Sequence, residues 1–283
     1  MNTILCYNIS CLCDWKCSES GMFCLQIIYP VISPGFYIER IDHLKEKLYT
    51  IPVTDAFHKD TECPLCSMYH ELEKQNIEYT MGPSYMEDDT RAETDKVGFC
   101  SHHIKMMYKN QNRLGIALIL NTHMDEVIKR IENLSRHGKP SGGSIFKKPA
   151  YTDIKSYIDY LEDNCFVCNR IHQTFERYIA TIFYLYKTES DFKTTFCASK
   201  GFCTKHYGML YQMAGSHLNG KQLDGFIDDL NKLYLENMKR VKEDLEWFRD
   251  KFDYRNQDAP WKNSKDAVPR TILKTNSVLE EDL

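Results

Sequence analysis

Two short cysteine patterns each occur twice along the 283-residue chain. In each half, a Cys-x-x-Cys pair is followed by a Gly-Phe-Cys-x-x-His segment. Two cysteines separated by two residues can direct both sulfur atoms at one ion, and Zn²⁺ favours thiolate and imidazole ligands. Each half therefore offers one tetrahedral Cys₃His site, which predicts two Zn²⁺ ions per chain. The predicted ligands are Cys63, Cys66, Cys100 and His103 in the first half, and Cys165, Cys168, Cys203 and His206 in the second.

Two further histidines compete for the fourth ligand position. His70 and His172 each lie four residues after the second cysteine of a pair, on the same helix face. We prefer His103 and His206, because Cys-x-x-His reproduces the spacing of the first pair. The isolated Cys197 is expected to be a buried thiol rather than a ligand.

The cysteines also allow other interpretations. Buried thiols acting as small apolar groups would explain neither the spacing nor its repetition. A thioredoxin-like redox pair at Cys63 and Cys66 needs a βαβ pattern, which the sequence lacks. An iron–sulfur cluster uses similar ligands and stays an alternative. We expect any early oxidation at Cys63 and Cys66, since Pro64 and the neighbouring acidic segment would leave them more exposed.

The similarity of the two halves extends beyond these ligands. The offset is 102 positions for the Cys-x-x-Cys pairs and 103 for the Gly-Phe-Cys-x-x-His segments, so one inserted residue separates the copies. Met106 and Tyr108 correspond to Met209 and Tyr211 at the same offset. We interpret the pattern as an internal duplication. In each copy the glycine before Phe-Cys can supply a turn conformation that other residues avoid.

An acidic segment offers the most enzyme-like chemistry in the chain. Glu87, Asp88 and Asp89 are catalytic candidates, because neighbouring carboxylates could hold a metal or act as general acid and base. In the structural alternative, Ser84 and Glu87 form a capping box and the acids complement the positive end of a helix. The chain has no recognisable nucleophile motif and no phosphate-binding glycine loop.

Composition and charge exclude several classes of protein. Hydrophobic residues make up 42% and charged residues 27%, the balance of a globular chain. The net charge of −4 is spread over interspersed acids and bases, which argues against a nucleic-acid-binding face. No apolar run is long enough to cross a bilayer, and no export signal is present. We expect a cytoplasmic protein that binds neither nucleic acid nor membrane and whose partner is an unknown protein.

Helical periodicity dominates the segments that must position the ligands. Apolar residues recur at three- and four-residue steps from Phe175 to Tyr186 and again from Ile227 to Phe252. The predicted fold is mainly α, with two related helical halves, each organised around a CxxC…GFCxxH metal site, a long C-terminal helix and an ordered coil tail. The predicted boundaries are 44–138 and 151–250 for the two zinc repeats, 139–150 for a linker and 251–283 for the tail.

The first 43 residues differ from the rest of the sequence. They contain five of the twelve cysteines and show no sustained period of either two or 3.6 residues. We interpret residues 1–43 as a non-native leader or disordered segment, with the natural start near Leu44. The alternative is that the five cysteines form a metal or redox cluster.

Several segments after Leu44 are similar to one bacterial family. Together with both cysteine patterns, they resemble the domain-of-unknown-function family DUF6062, which includes proteins of Gram-positive anaerobes. The resemblance covers nearly the whole chain after Leu44. It implies a bacterial cytosolic setting and a late start, and it implies no catalytic residue. The segments are Lys45–Phe57, Cys63–Cys66, Gly82–Asp89, Lys200–Cys203, Lys251–Tyr254 and Ala259–Trp261.

These observations favour a zinc-binding interaction or regulatory module over an enzyme. The first alternative is a metal-dependent enzyme that uses Glu87, Asp88 and Asp89. The second is a transporter's solute-binding protein, a class that needs export and is usually built from two α/β lobes.

Overall fold

The regular structure of the protein is helical in the computed structural model, which describes residues 48–136 and 152–283. These two ranges contain no strand, so the predicted mainly helical fold is confirmed. All described residues belong to one unit that spans Asp42–Leu283. The helices are α1 (described over 48–58), α2 (Pro64–Met81), α3 (Asp88–Val97), α4 (Ser101–Lys109), α5 (Arg113–Ser135), α6 (Asp153–Asp163), α7 (Phe166–Thr188), α8 (Ser190–Ala198), α9 (Thr204–His217), α10 (Gly220–Asp250) and α11 (Ala267–Asn276), with short 3₁₀ turns at Pro83–Met86, Tyr254–Asn256 and Glu280–Asp282.

The helices of the second half follow the same order as those of the first. Helices α7, α8 and α9 begin 102, 102 and 103 residues after α2, α3 and α4. A long helix follows in each half, α5 in the first and α10 in the second. The predicted leader (1–43), with its five cysteines, and the predicted linker (139–150) lie outside the described residues.

Four helices begin at a predicted ligand. Cys63, Cys100, Cys165 and Cys203 are the N-cap residues of α2, α4, α7 and α9. The Sγ atoms of Cys63, Cys100 and Cys203 each accept a hydrogen bond, at 3.4 to 3.5 Å, from the backbone N–H three residues later. The positive end of a helix stabilises a thiolate there. Each pattern thus places its two ligands on one helical turn.

The glycines before the two Phe-Cys pairs have the backbone conformation that was predicted from the sequence. Gly98 has φ +64° and Gly201 has φ +75°. A Cβ atom at Gly98 would lie 2.7 Å from the His123 ring, and one at Gly201 would lie 3.3 Å from the Leu233 carbonyl oxygen. Only glycine adopts this region at low cost, so the turn into each Cys-x-x-His helix depends on it.

Helices α2 and α7 pack against each other in opposite directions. The rings of Tyr69 and Phe175 lie 5.5 Å apart between centroids. Farther along α2, the Asn76 side-chain oxygen accepts from Arg170 at 3.1 Å, and the Arg170 guanidinium lies 4.2 Å from the Tyr79 ring centroid. Contacts therefore move down α7 as they move up α2. This antiparallel pair carries a Cys-x-x-Cys pair at each end.

The predicted apolar faces form much of the core. Six residues of α7 that recur at helical spacing are all buried, and they meet an aromatic cluster that includes Phe196 and Phe226. On α10, Leu230 and Val241 are buried, whereas Phe252 lies beyond the helix end and is 75% exposed. The six α7 residues are Phe175, Tyr178, Ile179, Ile182, Phe183 and Tyr186.

The tail differs from the ordered coil that the sequence predicted. Its residues 267–276 form α11, which packs against α9 and α10. Pro269 is the third residue of α11, where a missing N–H has no intrahelical partner to lose. Within the ranges that the structure describes, no helix has the length and apolar character to cross a membrane.

Candidate metal centres

The eight predicted ligands meet in two groups of four. Cluster A consists of Cys63, Cys66, Cys203 and His206, and cluster B of Cys100, His103, Cys165 and Cys168. In each cluster the ligand atoms all lie within 4.8 Å of one another. The two clusters could each hold a metal ion.

The grouping of the ligands differs from the sequence prediction. Each cluster takes its Cys-x-x-Cys pair from one half and its Cys-x-x-His pair from the other. Helix α2 has 18 residues and so carries the chain about 27 Å from its first ligand. Because α2 and α7 pack antiparallel, the start of α7 lies near the C-terminal end of α2. The chain continues from that end of α2 through α3 to α4. The Phe166 N–H donates to the Gly98 carbonyl at 3.0 Å, which joins the two halves at this point.

All four residues of cluster A are buried. The Nδ1 atom of His206 lies 3.5 Å from the sulfur of Cys63 and 3.3 Å from those of Cys66 and Cys203. The sulfurs of Cys66 and Cys203 are 3.6 Å apart. None of the four residues is more than 4% exposed, so the ligand atoms have little contact with solvent.

Cluster B repeats this geometry with partners from the other halves. The Nδ1 atom of His103 lies 3.2 Å from the sulfur of Cys100 and 3.3 Å from those of Cys165 and Cys168. The sulfurs of Cys100 and Cys168 are 3.9 Å apart. His103 and Cys165 are buried, whereas Cys100 and Cys168 are half-buried.

The distances in both clusters fit a tetrahedral ion. With zinc–sulfur bonds of about 2.3 Å and zinc–nitrogen bonds of about 2.0–2.1 Å, the edges of a tetrahedron are about 3.8 Å between sulfurs and about 3.5 Å between sulfur and nitrogen. The sulfur–sulfur distances of 3.6 and 3.9 Å and the sulfur–nitrogen distances of 3.2 to 3.5 Å lie close to these edges. The space matches a single ion rather than a larger cluster.

Three thiols crowded into cluster A do not ionise alike. Burial raises the pKa of Cys63 to about 12. Hydrogen bonding with the Cys203 and Cys63 sulfurs, and then burial, raises the pKa of Cys66. The same bonds from Cys63 and Cys66 lower the pKa of Cys203, which accepts both. These shifts favour the thiolate form at Cys203, and a divalent cation would provide the positive charge that favours thiolates at the other two cysteines.

Cluster B also concentrates its negative charge on one sulfur. Burial alone would raise the pKa of Cys165, but the hydrogen bond with His103, the backbone hydrogen bonds with Cys168 and Cys100 and the charge of His103 together lower the pKa to about 6. Burial alone would lower the pKa of His103, but bonds with Cys165 and Glu73 raise it to about 10. Burial, followed by repulsion from Cys165 and Cys100, raises the pKa of Cys168. Both clusters therefore share the chemistry of a thiolate-rich cation site.

A carboxylate orients the histidine of cluster B. The Nε2 atom of His103 lies 3.0 Å from Glu73 Oε1, which also lies 2.9 Å from His102 Nε2. Burial would raise the pKa of Glu73, but the bond from His103 and the charge of His102 lower it overall. Carboxylates in this position fix the ring orientation of a metal-binding histidine and increase its basicity. Sequence reasoning missed Glu73, although it lies seven residues, two helical turns, after Cys66 on the same helix.

Cluster A has no equivalent of that carboxylate. The residue 102 positions after Glu73 is Phe175, whose ring centroid lies 5.6 Å from that of His206. Accordingly, the buried Nε2 atom of His206 has no hydrogen-bond partner among the described residues. The repeat in the sequence therefore hides a chemical difference between the clusters.

The tail supports cluster A from the other side. The buried Nζ atom of Lys274 donates to the backbone carbonyls of Glu62 at 2.7 Å and Lys200 at 2.5 Å. It also lies 3.3 Å from the Glu62 carboxylate. The Ser277 hydroxyl donates to the Cys203 sulfur at 3.1 Å. Helix α11 thus holds together the two chain segments that lead into cluster A, a role for which the sequence contains no recognisable pattern.

Residues 44–282 match a single family model. The chain belongs to DUF6062, a family of unknown function. This confirms the resemblance seen in the sequence. No curated protein and no solved structure matches the chain. Since the DUF6062 description names no activity, function has to be argued from the clusters themselves.

The exposure of the clusters in this DUF6062 member is the reverse of the expected order. Cys63 and Cys66 are 0% and 4% exposed, so they are not the accessible pair. Pro64 is the first residue of α2 and is itself buried. The accessible sulfurs are those of Cys100 and Cys168.

The remaining histidine and cysteine candidates lie outside both clusters. His70 Nε2 lies 3.2 Å from Glu281, and His172 Nε2 lies 3.0 Å from Glu176 with 74% of its side chain exposed. The structure does not bring either alternate histidine to a cluster. Cys197, expected to be buried, is exposed.

The acidic segment contributes no residue to either cluster. Glu87, Asp88 and Asp89 are exposed and belong to neither tetrad. The predicted capping box is wrong, because α3 begins after Glu87 and the Ser84 hydroxyl bonds to the Tyr79 carbonyl instead. Asp88 and Asp89 do lie in the first turn of α3, where acids complement the helix dipole.

Proposed function

We propose that this protein binds two zinc ions, one in each cluster, and that these ions brace its two halves. The observation that carries the proposal is the exchange of ligands, because each tetrad joins a Cys-x-x-Cys pair to the Cys-x-x-His pair of the other half. Structural zinc in small domains contributes an apparent ~10–16 kcal/mol, more than most domains' whole stability of ~5–15 kcal/mol. Loss of either ion would then loosen both halves together.

Several observations favour zinc over other metals. The ligand set of three thiolates and one imidazole is typical of structural zinc, and the tetrad distances match a tetrahedron around one ion. An iron–sulfur cluster would need the sulfurs farther apart to enclose several iron atoms. Zinc also carries no redox activity, which suits a site that serves as a brace.

We infer a scaffold for an interaction or regulatory module rather than an enzyme. Four protein ligands leave no open position on a tetrahedral ion, whereas catalytic zinc keeps one for water or substrate. The carboxylates of the enzyme alternative, Glu87, Asp88 and Asp89, belong to neither tetrad. A solute-binding protein would usually have two α/β lobes, and the described residues contain no strand. A bacterial, cytoplasmic setting with a protein partner fits this role.

An internal duplication accounts for the paired arrangement. The matching offsets of helices α2 to α4 and α7 to α9 support it, as does the cysteine N-cap at α2, α4, α7 and α9. An ancestral protein with one copy would have bound zinc as a dimer, in which each tetrad joined ligands from both chains. Fusion of two such copies would retain both sites within one chain.

Two matched variants test the proposed ligand exchange. The first changes the four cluster A ligands, three cysteines to serine and one histidine to alanine. The second changes the four first-half ligands in the same way. We expect the first variant to retain one tightly bound zinc ion and the second to retain none, since it removes two ligands from each cluster. Zinc per chain is measured by atomic spectrometry after gel filtration. The substituted residues are Cys63, Cys66, Cys203 and His206 in the first variant, and Cys63, Cys66, Cys100 and His103 in the second.

The opposite result would mean that each half holds its own ion. Cys197→Ser, which changes an exposed cysteine outside the clusters, serves as the control and should retain two zinc ions. A second measurement does not depend on the stability of the variants. Cadmium replaces zinc in the unmodified chain, and NMR correlation between each cadmium nucleus and the Cβ protons of its ligands assigns every cysteine to one ion.

A further inference from the structure

A cleft of about 1260 Å³ lies between helices α2, α4 and α5, the start of α9 and residues 277–283. Typical ligand pockets measure ~300–1,000 Å³, so the cleft is large enough for a small molecule. Cys66 and His206 of cluster A line part of it. Glu73 and His102, which lie beside His103 of cluster B, line another part. The residues that would hold a ligand in this cleft, described next, belong to neither metal cluster.

The floor of the cleft is apolar. Ile77 of α2 and Ile116 and Leu120 of α5 line it, together with Ile104 of α4 and Leu279 of the tail. Ile77 and Ile116 are buried, and the others are half-buried. The spacing of four residues between Ile116 and Leu120 places both on one face of α5. A hydrocarbon chain could lie on this surface and exclude water from it.

The rim of the cleft is basic. Lys74, Lys105, Lys109 and Lys205 line it, and none of these lysines forms an ion pair within the described part of the chain. Three of them lie on two helices, α2 and α4. The rim can therefore offer several ammonium groups to one negative ligand.

The carboxylates described in the cleft do not form ion pairs with these lysines. Glu73 accepts from His102 and His103, and Glu281 lies against His70. Only Glu78 remains among the acidic side chains described in the cleft. The cleft thus combines an apolar floor with a rim on which four lysine side chains face three glutamate side chains.

We propose that this cleft binds a small amphipathic anion, a single hydrocarbon chain that ends in a carboxylate. The chain lies on the isoleucine and leucine floor, and the carboxylate meets the lysines of the rim. This inference goes beyond the proposed zinc brace, because its ligand-binding residues are not metal ligands. An acidic protein segment would need an extended partner surface, whereas the cleft is a concave space bounded on several sides by helices.

Calorimetric titration of the full, zinc-loaded chain with dodecanoate, decanoate and octanoate tests the proposal. We expect one site per chain and an affinity that rises about fourfold for each methylene group buried, as expected for transfer of a hydrocarbon chain out of water. Dodecyltrimethylammonium, with the same chain and the opposite charge, should bind at least about tenfold more weakly than dodecanoate. Equal binding of both amphiphiles, or no binding of dodecanoate, would overturn the proposal.

A matched pair of variants locates the binding site. Lys74→Glu with Lys109→Glu should weaken dodecanoate binding about tenfold, because two attractive charges at the rim become repulsive. Lys129→Glu with Lys239→Glu makes the same change in net charge at exposed lysines outside the cleft and should leave the affinity unchanged. Equal losses in both variants would show that only net charge matters and would refute this location.

An uncharged variant provides a check that does not depend on electrostatics. Leu120→Ala shortens the floor without touching a metal ligand, and it should weaken dodecanoate binding while retaining two zinc ions. Unchanged dodecanoate affinity in zinc-loaded Leu120→Ala would place the hydrocarbon chain elsewhere. Because the zinc content is measured in the same samples, failure of the ligand proposal can be distinguished from failure of the zinc brace.

Discussion

The carboxylate of Glu73 provides a sharp test of how the two clusters differ. Its side chain is 10% exposed and that of His103 is 2% exposed, so their 3.0 Å contact is shielded from solvent. With Nδ1 directed at the three sulfurs of cluster B, the protonated Nε2 donates to this carboxylate. Removing the acceptor should leave the ring free to turn and its buried N–H without a partner.

The expected magnitude follows from the kind of substitution. Loss of such an orienting partner typically lowers metal affinity 10- to 100-fold, or about 1.4–2.7 kcal/mol. Glu73→Gln keeps an acceptor oxygen but loses the charge, so its effect should be near tenfold. Glu73→Leu removes the acceptor and should approach 100-fold. Cluster A should be unaffected, because Phe175 occupies the equivalent position beside His206.

Competition with a chromogenic zinc chelator measures both clusters in one experiment. We expect both ions of the unmodified chain to need a higher chelator concentration for release than the cluster B ion of the Glu73 variants. Only one ion per chain should move to lower chelator concentration. Glu71→Gln is the control, since it makes the same chemical change at an exposed position on α2. Equal weakening of both ions, or no change in Glu73→Leu, would refute the orienting role.

Three further predictions concern stability and accessibility. Gly201→Ala should destabilise the chain by about 1–2 kcal/mol in urea unfolding, because the positive φ at this position disfavours a side chain. The control is Gly215→Ala, which adds a methyl group in open space within α9 and should be neutral or stabilising. Equal effects of the two substitutions would contradict this reasoning. Mild peroxide should oxidise the half-buried Cys100 and Cys168 before any cysteine of cluster A, and mass mapping of the oxidised cysteines measures this order. Earlier oxidation in cluster A would show that exposure does not control reactivity. Lys274→Met should lower the free energy of unfolding by about 2–3 kcal/mol in denaturant titrations, because it leaves two buried carbonyls without their donor. A much smaller decrease would mean that α11 does not brace cluster A.

Local sequence pattern was sufficient to predict the helices and the ligand types. A helix buries one face, so apolar spacing alone indicated the buried side of α7. Two ligands three positions apart share a helical turn, so each Cys-x-x-Cys or Cys-x-x-His pair is a local unit. The positive φ of Gly98 and Gly201 is likewise a local requirement of the turn that precedes each of these helices.

Local pattern was less reliable where the surroundings decide the outcome. The tail was predicted to be ordered coil, yet residues 267–276 form α11, which tolerates Pro269 in its first turn. Ser84 and Glu87 have capping-box spacing, but the chain adopts a 3₁₀ turn there and Ser84 bonds to a different carbonyl. Cys197 was expected to be buried because most free cysteines are, and its place on the exposed side of α8 is not encoded by its neighbours alone.

Which pairs share an ion was decided by tertiary packing. Sequence proximity grouped the ligands by half, because a loop between nearby residues is the simplest connection. Helix α2 is instead a rigid rod that separates Cys63 from the start of α4, and the antiparallel contact of α2 with α7 supplies the nearer partner. The same packing brings Glu73 to His103 and α11 to cluster A. The sequence by itself determined the four two-ligand units, whereas the direction in which two helices pack determined how those units combine.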